Sequence, residues 1–213
     1  MSANRRRRHG ALFAPVLGLA AMVLLAGAGR AATPERADDM ALGNPRAQVS
    51  VVEYASVGCP HCGEWARDVF PAFRKTYIDS GKVRFVFREM LYGDPTLAAA
   101  GFLTARCAGK PRYFQVVDAI FAAQPQIAKD GNALASLRVI ARNAGLGEAR
   151  FNACLGDAAA LAALQARSLR HETIDKVVST PTFVVGGRRM EGDRTLADLG
   201  AAIAAARSGG PGR

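Results

Sequence analysis

Residues 51–65 read VVEYASVGCPHCGEW, and the order of residue types in this stretch decides the fold. Its first part belongs to a longer β-branched and apolar run, Gln48 to Tyr54 (QVSVVEY), which has the composition of a buried strand. A short loop, Ala55 to Gly58, follows. Cys59-Pro60-His61-Cys62 then opens a helix that continues to about Tyr77. Pro60 suits the first helical turn, where its missing N–H is not needed. Trp65, Val69, Phe73 and Tyr77 recur at helical spacing, so Trp65 reads as a core residue.

A Cys-x-x-Cys pair is a redox centre, half a metal site, or chance. Its place between a strand and a helix favours the first. The thiolate is the reactive form of cysteine, and the unsatisfied N–H groups and dipole of a helix N-terminus stabilise it. Cys59 stands at the cap and feels this most, whereas Cys62 lies about one turn inside and should be more buried. His61 adds a donor, or a positive charge, beside the Cys59 sulfur. Stabilising the reduced form makes the disulfide a strong oxidant. A zinc site would need two more ligands, but Cys107 and Cys154 stand alone in different predicted helices. No metal and no bound cofactor are expected.

Outward from this stretch, Gly81 turns the chain into a second strand, Val83 to Arg88. Residues from about 96 to 176 read as helical. One helix spans Leu97 to Ala108, and a second spans Tyr113 to Ala123 and stops before Pro125. A third face (Leu134, Leu137, Ala141) ends near Gly145, and Gly147 to Leu155 and Ala158 to Ile174 continue the pattern. Thr182 to Val185 is a strand, Gly186-Gly187 a hairpin turn and Arg188 to Glu191 the returning strand. Thr195 caps a last helix carrying Leu196, Leu199 and Ile203 on one face. His171 falls on a polar helix and His9 near the N-terminus, so neither reads as catalytic. Met90 and Met190 read as packing residues.

The N-terminus looks like an export signal. A basic head, Arg5 to Arg8, precedes an apolar run from Ala11 to about Gly29, with small residues near a cleavage position. The expected organisation is a signal peptide at 1–32, or an anchor if it is retained. A short polar arm at 33–47 follows, and a flexible tail closes the chain at 208–213. The formal charge of +10 overstates the basic character, because five arginines lie in the first 31 residues, which contain no acid. The remaining 23 basic and 18 acidic residues leave +5, scattered with mixed sign, which speaks against nucleic-acid binding. An oxidising compartment also favours a structural disulfide between Cys107 and Cys154 over two buried free thiols.

VVEYASVGCPHCGEW, then DSGKVRFVFREM (79–90) and STPTFVVGGRRMEG (179–192), resemble the bacterial DsbA family of periplasmic thiol:disulfide oxidoreductases. The likeness covers roughly Gln48 to Ala206. It implies an α/β chain, a thioredoxin-like fold with an inserted α-helical domain: residues 48–93 and 177–207 form the thioredoxin-like part, and 94–176 the insertion. The resemblance makes Cys59 the exposed nucleophile, Cys62 its partner and Pro181 a cis proline whose neighbour Thr180 pairs with substrate backbone. It matches Glu53 to a buried carboxylate that relays protons to the inner cysteine; read alone, Glu53 is equally a strand-end acid facing water. Gly58 stands where many relatives carry a bulkier residue, and Thr180 before the proline is shared with disulfide isomerases.

The expected activity is oxidation of reduced exported proteins in the periplasm by exchange through Cys59 and Cys62, with reoxidation by a quinone-linked membrane partner as in the relatives. An isomerase or reductase acting on misfolded exported proteins is the alternative, and a non-catalytic chaperone or metal-handling module a third. The arm before the first strand is short and not heptad-like, so a monomer is expected.

Overall fold

The structure, a computed structural model, describes Met1 and residues 34–209. The expected signal peptide, Met1 apart, and the last four residues of the expected tail lie outside the described residues.

Two neighbouring strands carry the architecture, β2 (Val49–Ala55) and β3 (Val83–Glu89). They pair in parallel from Val49 opposite Val83 to Ala55 opposite Glu89. Both are buried along almost their whole length, as strands covered on both faces must be. On the far side of β2 lies β4 (Thr182–Val185), antiparallel, followed by β5 (Arg188–Glu191) across the Gly186-Gly187 turn. Both turn glycines have positive φ, which a tight hairpin requires.

The other edge holds a strand absent from the sequence reading, β1 (Met40–Leu42), antiparallel to β3. It corrects the view of 33–47 as a plain polar arm. Three residues are too few for a periodic signal. This segment is held largely by distant partners: Arg88 contacts Asp39, Arg84 contacts Glu35, and Asp175 contacts Arg36. The order across the five-stranded sheet is β1-β3-β2-β4-β5.

The expected single helix to Tyr77 is three pieces: α1 (Pro60–Asp68), α2 (Phe70–Phe73) and a π-helical turn over Arg74–Ile78. Pro71 is the cause. It cannot donate to the carbonyl of Arg67 and its ring crowds that position, so the helix breaks at Val69. Trp65 and Phe73 still point inward, and the Trp65 ring packs 4.8 Å from that of Phe183.

Between β3 and β4 come α3 (Pro95–Cys107), a 3-10 turn (Lys110–Arg112), α4 (Tyr113–Asp130), α5 (Ala133–Asn143), α6 (Glu148–Leu155) and α7 (Ala158–Thr173). α8 (Leu196–Arg207) closes the described chain with a capping box between Thr195 and Asp198. Here α4 runs straight through Pro125, against the expected stop. Its buried face continues through Gln124 to Ile127, and the Phe121 carbonyl that Pro125 cannot serve accepts a hydrogen bond from Arg67 Nη1 at 2.8 Å instead. Tertiary contact thus offsets a local cost of about 3 kcal/mol.

The main core joins one sheet face (Val49, Val51, Phe85, Phe87, Phe183, Val185) to α1, α3, α4 and α8. A smaller cluster on the other face holds Val52, Tyr54, Val86, Met90, Val177 and Val184. His171 of α7 closes that second face: it is 1 % exposed, edge-on to the Tyr54 ring, and bonded through Nδ1 to the Glu89 carbonyl at 3.1 Å. It is a core residue, although its helix reads as polar. The arrangement is a thioredoxin-like fold with helices inserted between β3 and β4.

Candidate active site

The loop after β2 is held by its own backbone and by two visitors. Cys59 N–H donates to the Ser56 carbonyl at 3.1 Å, and Ser56 Oγ donates to the Tyr92 carbonyl at 2.7 Å. Asp94 N–H donates to the Gly58 carbonyl at 3.0 Å. That approach accounts for Gly58: a Cβ there would lie 2.2 Å from the Asp94 carbonyl oxygen. Gly93 faces Gly58 from the other side at positive φ, and a Cβ on it would be equally obstructed.

Cys59 is the N-cap of α1, in extended conformation, with Pro60 in the first turn. It is only 7 % exposed, and Cys62 is fully buried, so little of the outer cysteine reaches the surface. Both are free thiols. The Cys59 thiol is lowered to about 5. The main cause is a hydrogen bond from the Cys62 side chain. Burial opposes it, and the Thr180 side chain and the backbone N–H groups of Cys62 and His61 add to it. Cys62 moves the other way. Burial pushes its thiol well up, and the neighbouring Cys59 and Glu53 charges reinforce this. One sulfur is thus prepared to be a thiolate and the other to keep its proton.

His61 contributes through its peptide N–H, whereas its ring turns outward. Nδ1 lies 3.3 Å from both Glu64 Oε2 and Asp193 Oδ2, with the side chain 67 % exposed. The sequence reading placed the imidazole beside the Cys59 sulfur, and the two acids account for the difference. The Thr180–Pro181 peptide is cis. Its loop faces Cys59, whose thiol donates to the Thr180 carbonyl at 3.5 Å. The loop is braced by Thr182 Oγ1 on the Ser179 carbonyl (2.8 Å) and by Gly192 N–H on the Pro181 carbonyl (2.8 Å).

Glu53 faces the interior below α1. It is 2 % exposed, and its Oε1 has no hydrogen-bond partner. Burial first, then the charges of Asp118 and Cys59, push its carboxyl well up. Glu53 and Asp118 line one narrow cavity of about 10 Å³, walled by Trp65, Phe70, Phe87 and Phe121. That is close to the least space a single water needs.

Cys107 and Cys154 form a disulfide between α3 and α6, with Cα atoms 6.1 Å apart. They are therefore not available as further ligands to a metal held by Cys59 and Cys62. Closing a loop of 47 residues stabilises by roughly 4 kcal/mol in the chain-entropy view.

Three site residues were invisible in the sequence. Gln124, from α4, donates through Nε2 to the carbonyls of Val57 (2.8 Å) and Cys59 (3.0 Å), tying the insertion to the redox loop. Arg67 locks α1 to α4 through the Phe121 carbonyl. Asp118 stands behind Glu53. Each lies far from the Cys motif or faces away from it along the chain. The one available hint was Pro125, which marks where α4 bares a carbonyl. A cavity of about 510 Å³ opens beside Gly58 and Pro60, walled by Leu97, Pro125 and Ile127 and edged by Glu64 and Asp94.

Known proteins resemble this chain in sequence and in fold. A Rickettsia typhi protein named as a protein-disulfide oxidoreductase is 34 % identical over 155 residues, covering 72 % of this chain and 57 % of that protein. The chain thus spans a little over half the length of the first curated relatives it matches. The crystal structure of Wolbachia pipientis α-DsbA1 superposes with a TM-score of 0.75 at 22 % identity, over 83 % of this chain and 95 % of that one. Chlamydia trachomatis DsbA gives 0.66 at 16 % identity, over 82 % and 94 %. These structures share the fold. The thioredoxin family's model matches residues 35–205, from the arm before β1 to the last turns of α8. With a sheet, cysteine-capped helix and cis-proline loop all inside that match, the chain belongs to the thioredoxin family.

Proposed function

We propose that this chain is a periplasmic thiol:disulfide oxidoreductase that introduces disulfides into exported proteins. The observation that carries the reading is the opposed tuning of the two sulfurs, Cys59 lowered to about 5 and Cys62 raised. A client thiolate attacks Cys59 Sγ of the Cys59–Cys62 disulfide and Cys62 leaves. A second client thiolate then attacks the client sulfur of the mixed disulfide. Cys59 departs as the better leaving group, and the client holds the new disulfide. Two electrons pass from the client to the cysteine pair.

Thr180 and Pro181 form the docking edge. The Thr180 carbonyl near Cys59 suits pairing with an extended client segment, as in strand addition. Glu53 serves as the internal proton carrier for Cys62, a role its lack of a partner supports. Pro60 starts α1 without demanding a donor, and His61 lends its peptide N–H. Reoxidation falls to a quinone-linked membrane partner, and the chain works as a monomer in the periplasm. Among the described residues no helix is long and apolar enough to cross a membrane.

The test is oxidation of a reduced client protein by the oxidised chain. Cys59→Ser abolishes it, and glutathione equilibration of the wild type gives a strongly oxidising potential. Retained oxidation in that variant overturns the reading. A thioredoxin-like potential turns it toward a reductase.

A further inference from the structure

The departing Cys62 sulfur needs a proton at a site without solvent. Cys62 is fully buried and Glu53 is 2 % exposed, so Glu53, as the carrier for Cys62, must itself be reloaded. On the mouth side Cys62 sits against Cys59, the sulfur carrying the client. On the opposite side the cavity below α1 leads from Glu53 to Asp118 on α4. The groups facing Glu53 are few. From α1 they are Cys59 and Cys62, from α4 Asp118; its cross-strand neighbours Phe87 and Phe183 are uncharged. Asp118 is the one among them whose side chain reaches water, at 41 % exposure, with Arg74 Nη1 at 4.0 Å.

We propose that Asp118 is the solvent-facing station through which Glu53 exchanges its proton, so that the Cys62 proton enters and leaves through the α4 side of the molecule. This rests on the reading of Glu53 as the carrier for Cys62. Asp118 does not touch the reacting sulfurs and acts only through Glu53.

The steps balance. When a client thiolate displaces Cys62, the Cys62 thiolate takes the proton of the Glu53 carboxylic acid. Glu53 carboxylate then takes a proton from Asp118, by way of the cavity, and Asp118 is reprotonated by water. In reoxidation the path runs backward. Glu53 first passes its proton out through Asp118, and the resulting Glu53 carboxylate takes the Cys62 proton as that thiol attacks the Cys59 mixed disulfide, which restores the Glu53 carboxylic acid. Asp118 suits the task because the apolar wall raises its carboxyl to about 6, against the pull of Arg74. It therefore gives and takes protons readily near neutral pH.

Ring closure isolates this step. Reduced chain is mixed with oxidised glutathione, and the rate that no longer depends on glutathione concentration reports Cys62 attacking the Cys59–glutathione bond. It is followed from pH 4 to 8. Asp118→Asn lowers the high-pH plateau about tenfold, less than the roughly hundredfold or more that a proton-transfer partner acting directly contributes. Asp118→Glu restores it, and millimolar imidazole or acetate rescues Asp118→Asn in proportion to its concentration. Glu53→Gln slows closure by itself, and adding Asp118→Asn to it costs nothing more. A plateau unchanged in Asp118→Asn, with only the midpoint moved to lower pH, overturns the inference: Asp118 would then act by its charge alone. Closure at the wild-type rate in Glu53→Gln instead removes the Glu53 reading, and this inference with it. Titration of Cys59 in Asp118→Asn at its wild-type midpoint shows that the redox site is intact, so a slowed plateau cannot be ascribed to misfolding.

Discussion

Glu53 on β2 and Glu89 on β3 are buried carboxylates on neighbouring parallel strands, 2 % and 1 % exposed, yet their surroundings have nothing in common. Glu89 Oε1 accepts from Arg106 Nε at 2.6 Å and Tyr113 Oη at 3.0 Å, while Oε2 accepts from Arg167 Nε at 2.9 Å. It pins α3, α4 and α7 to the end of β3. Glu53 Oε1 has no partner, and the cavity it lines is walled by aromatic rings, Ala66 and Val117, with Asp118 as the other carboxylate. Burial of a charge is tolerated when every oxygen is matched by a donor, and it is expensive otherwise. Glu89 is built to hold helices in place. Glu53 is built to be reluctant to ionise, as the proton carrier proposed above must be.

The largest expected break in this contrast is Glu89→Ala. It leaves two arginines facing a hole and should cost about 3–5 kcal/mol in urea unfolding. If the variant unfolds at the wild-type midpoint, the pairing of insertion to sheet is not what holds α3 and α7.

Glu53→Gln should act in the other direction. A carboxyl raised in the folded state binds its proton more tightly there than in the unfolded chain, so stability falls as pH rises above the ordinary value of 4.5. The amide titrates in neither state. The variant should therefore melt higher than wild type at pH 7, with the gain vanishing near pH 4. Equal melting temperatures at both pH values would mean that Glu53 is not desolvated as described.

The smallest effect sharpens the comparison. Tyr113→Phe removes one of the three donors to Glu89 and should cost about 1 kcal/mol, with client oxidation unchanged. A loss of oxidation at full stability would show that the Glu89 cluster reaches the redox loop after all.

The chemistry was legible where it is local. The Cys59-Pro60-His61-Cys62 run, the strand before it and the Thr182–Val185 hairpin lie where the sequence puts them, because each carries its signal within a few residues. Glu53 could not be settled from its neighbours. Whether a strand-end acid faces water depends on what packs over the strand, and that is Phe114, Val117 and Phe121 of a helix some 60 residues on. His171 went the same way: nothing around it in the chain announces that Tyr54 and the Glu89 carbonyl wait for it. Proline was the most misleading residue. Pro125 sits inside a helix because Arg67 takes over the carbonyl it leaves free, whereas Pro71, with no such replacement shown, breaks one.

The sequence alone determined a strand, a cysteine-capped helix and a proline-led hairpin, since strand composition, capping and turn formation act over one or two turns of chain. Only the tertiary structure decided which sulfur keeps its proton, which carboxylate goes unpartnered and how Gln124 grips the Cys59 loop. Those outcomes depend on desolvation and on donors supplied by distant segments. Both are properties of packing, and no stretch of sequence possesses them until the chain has folded.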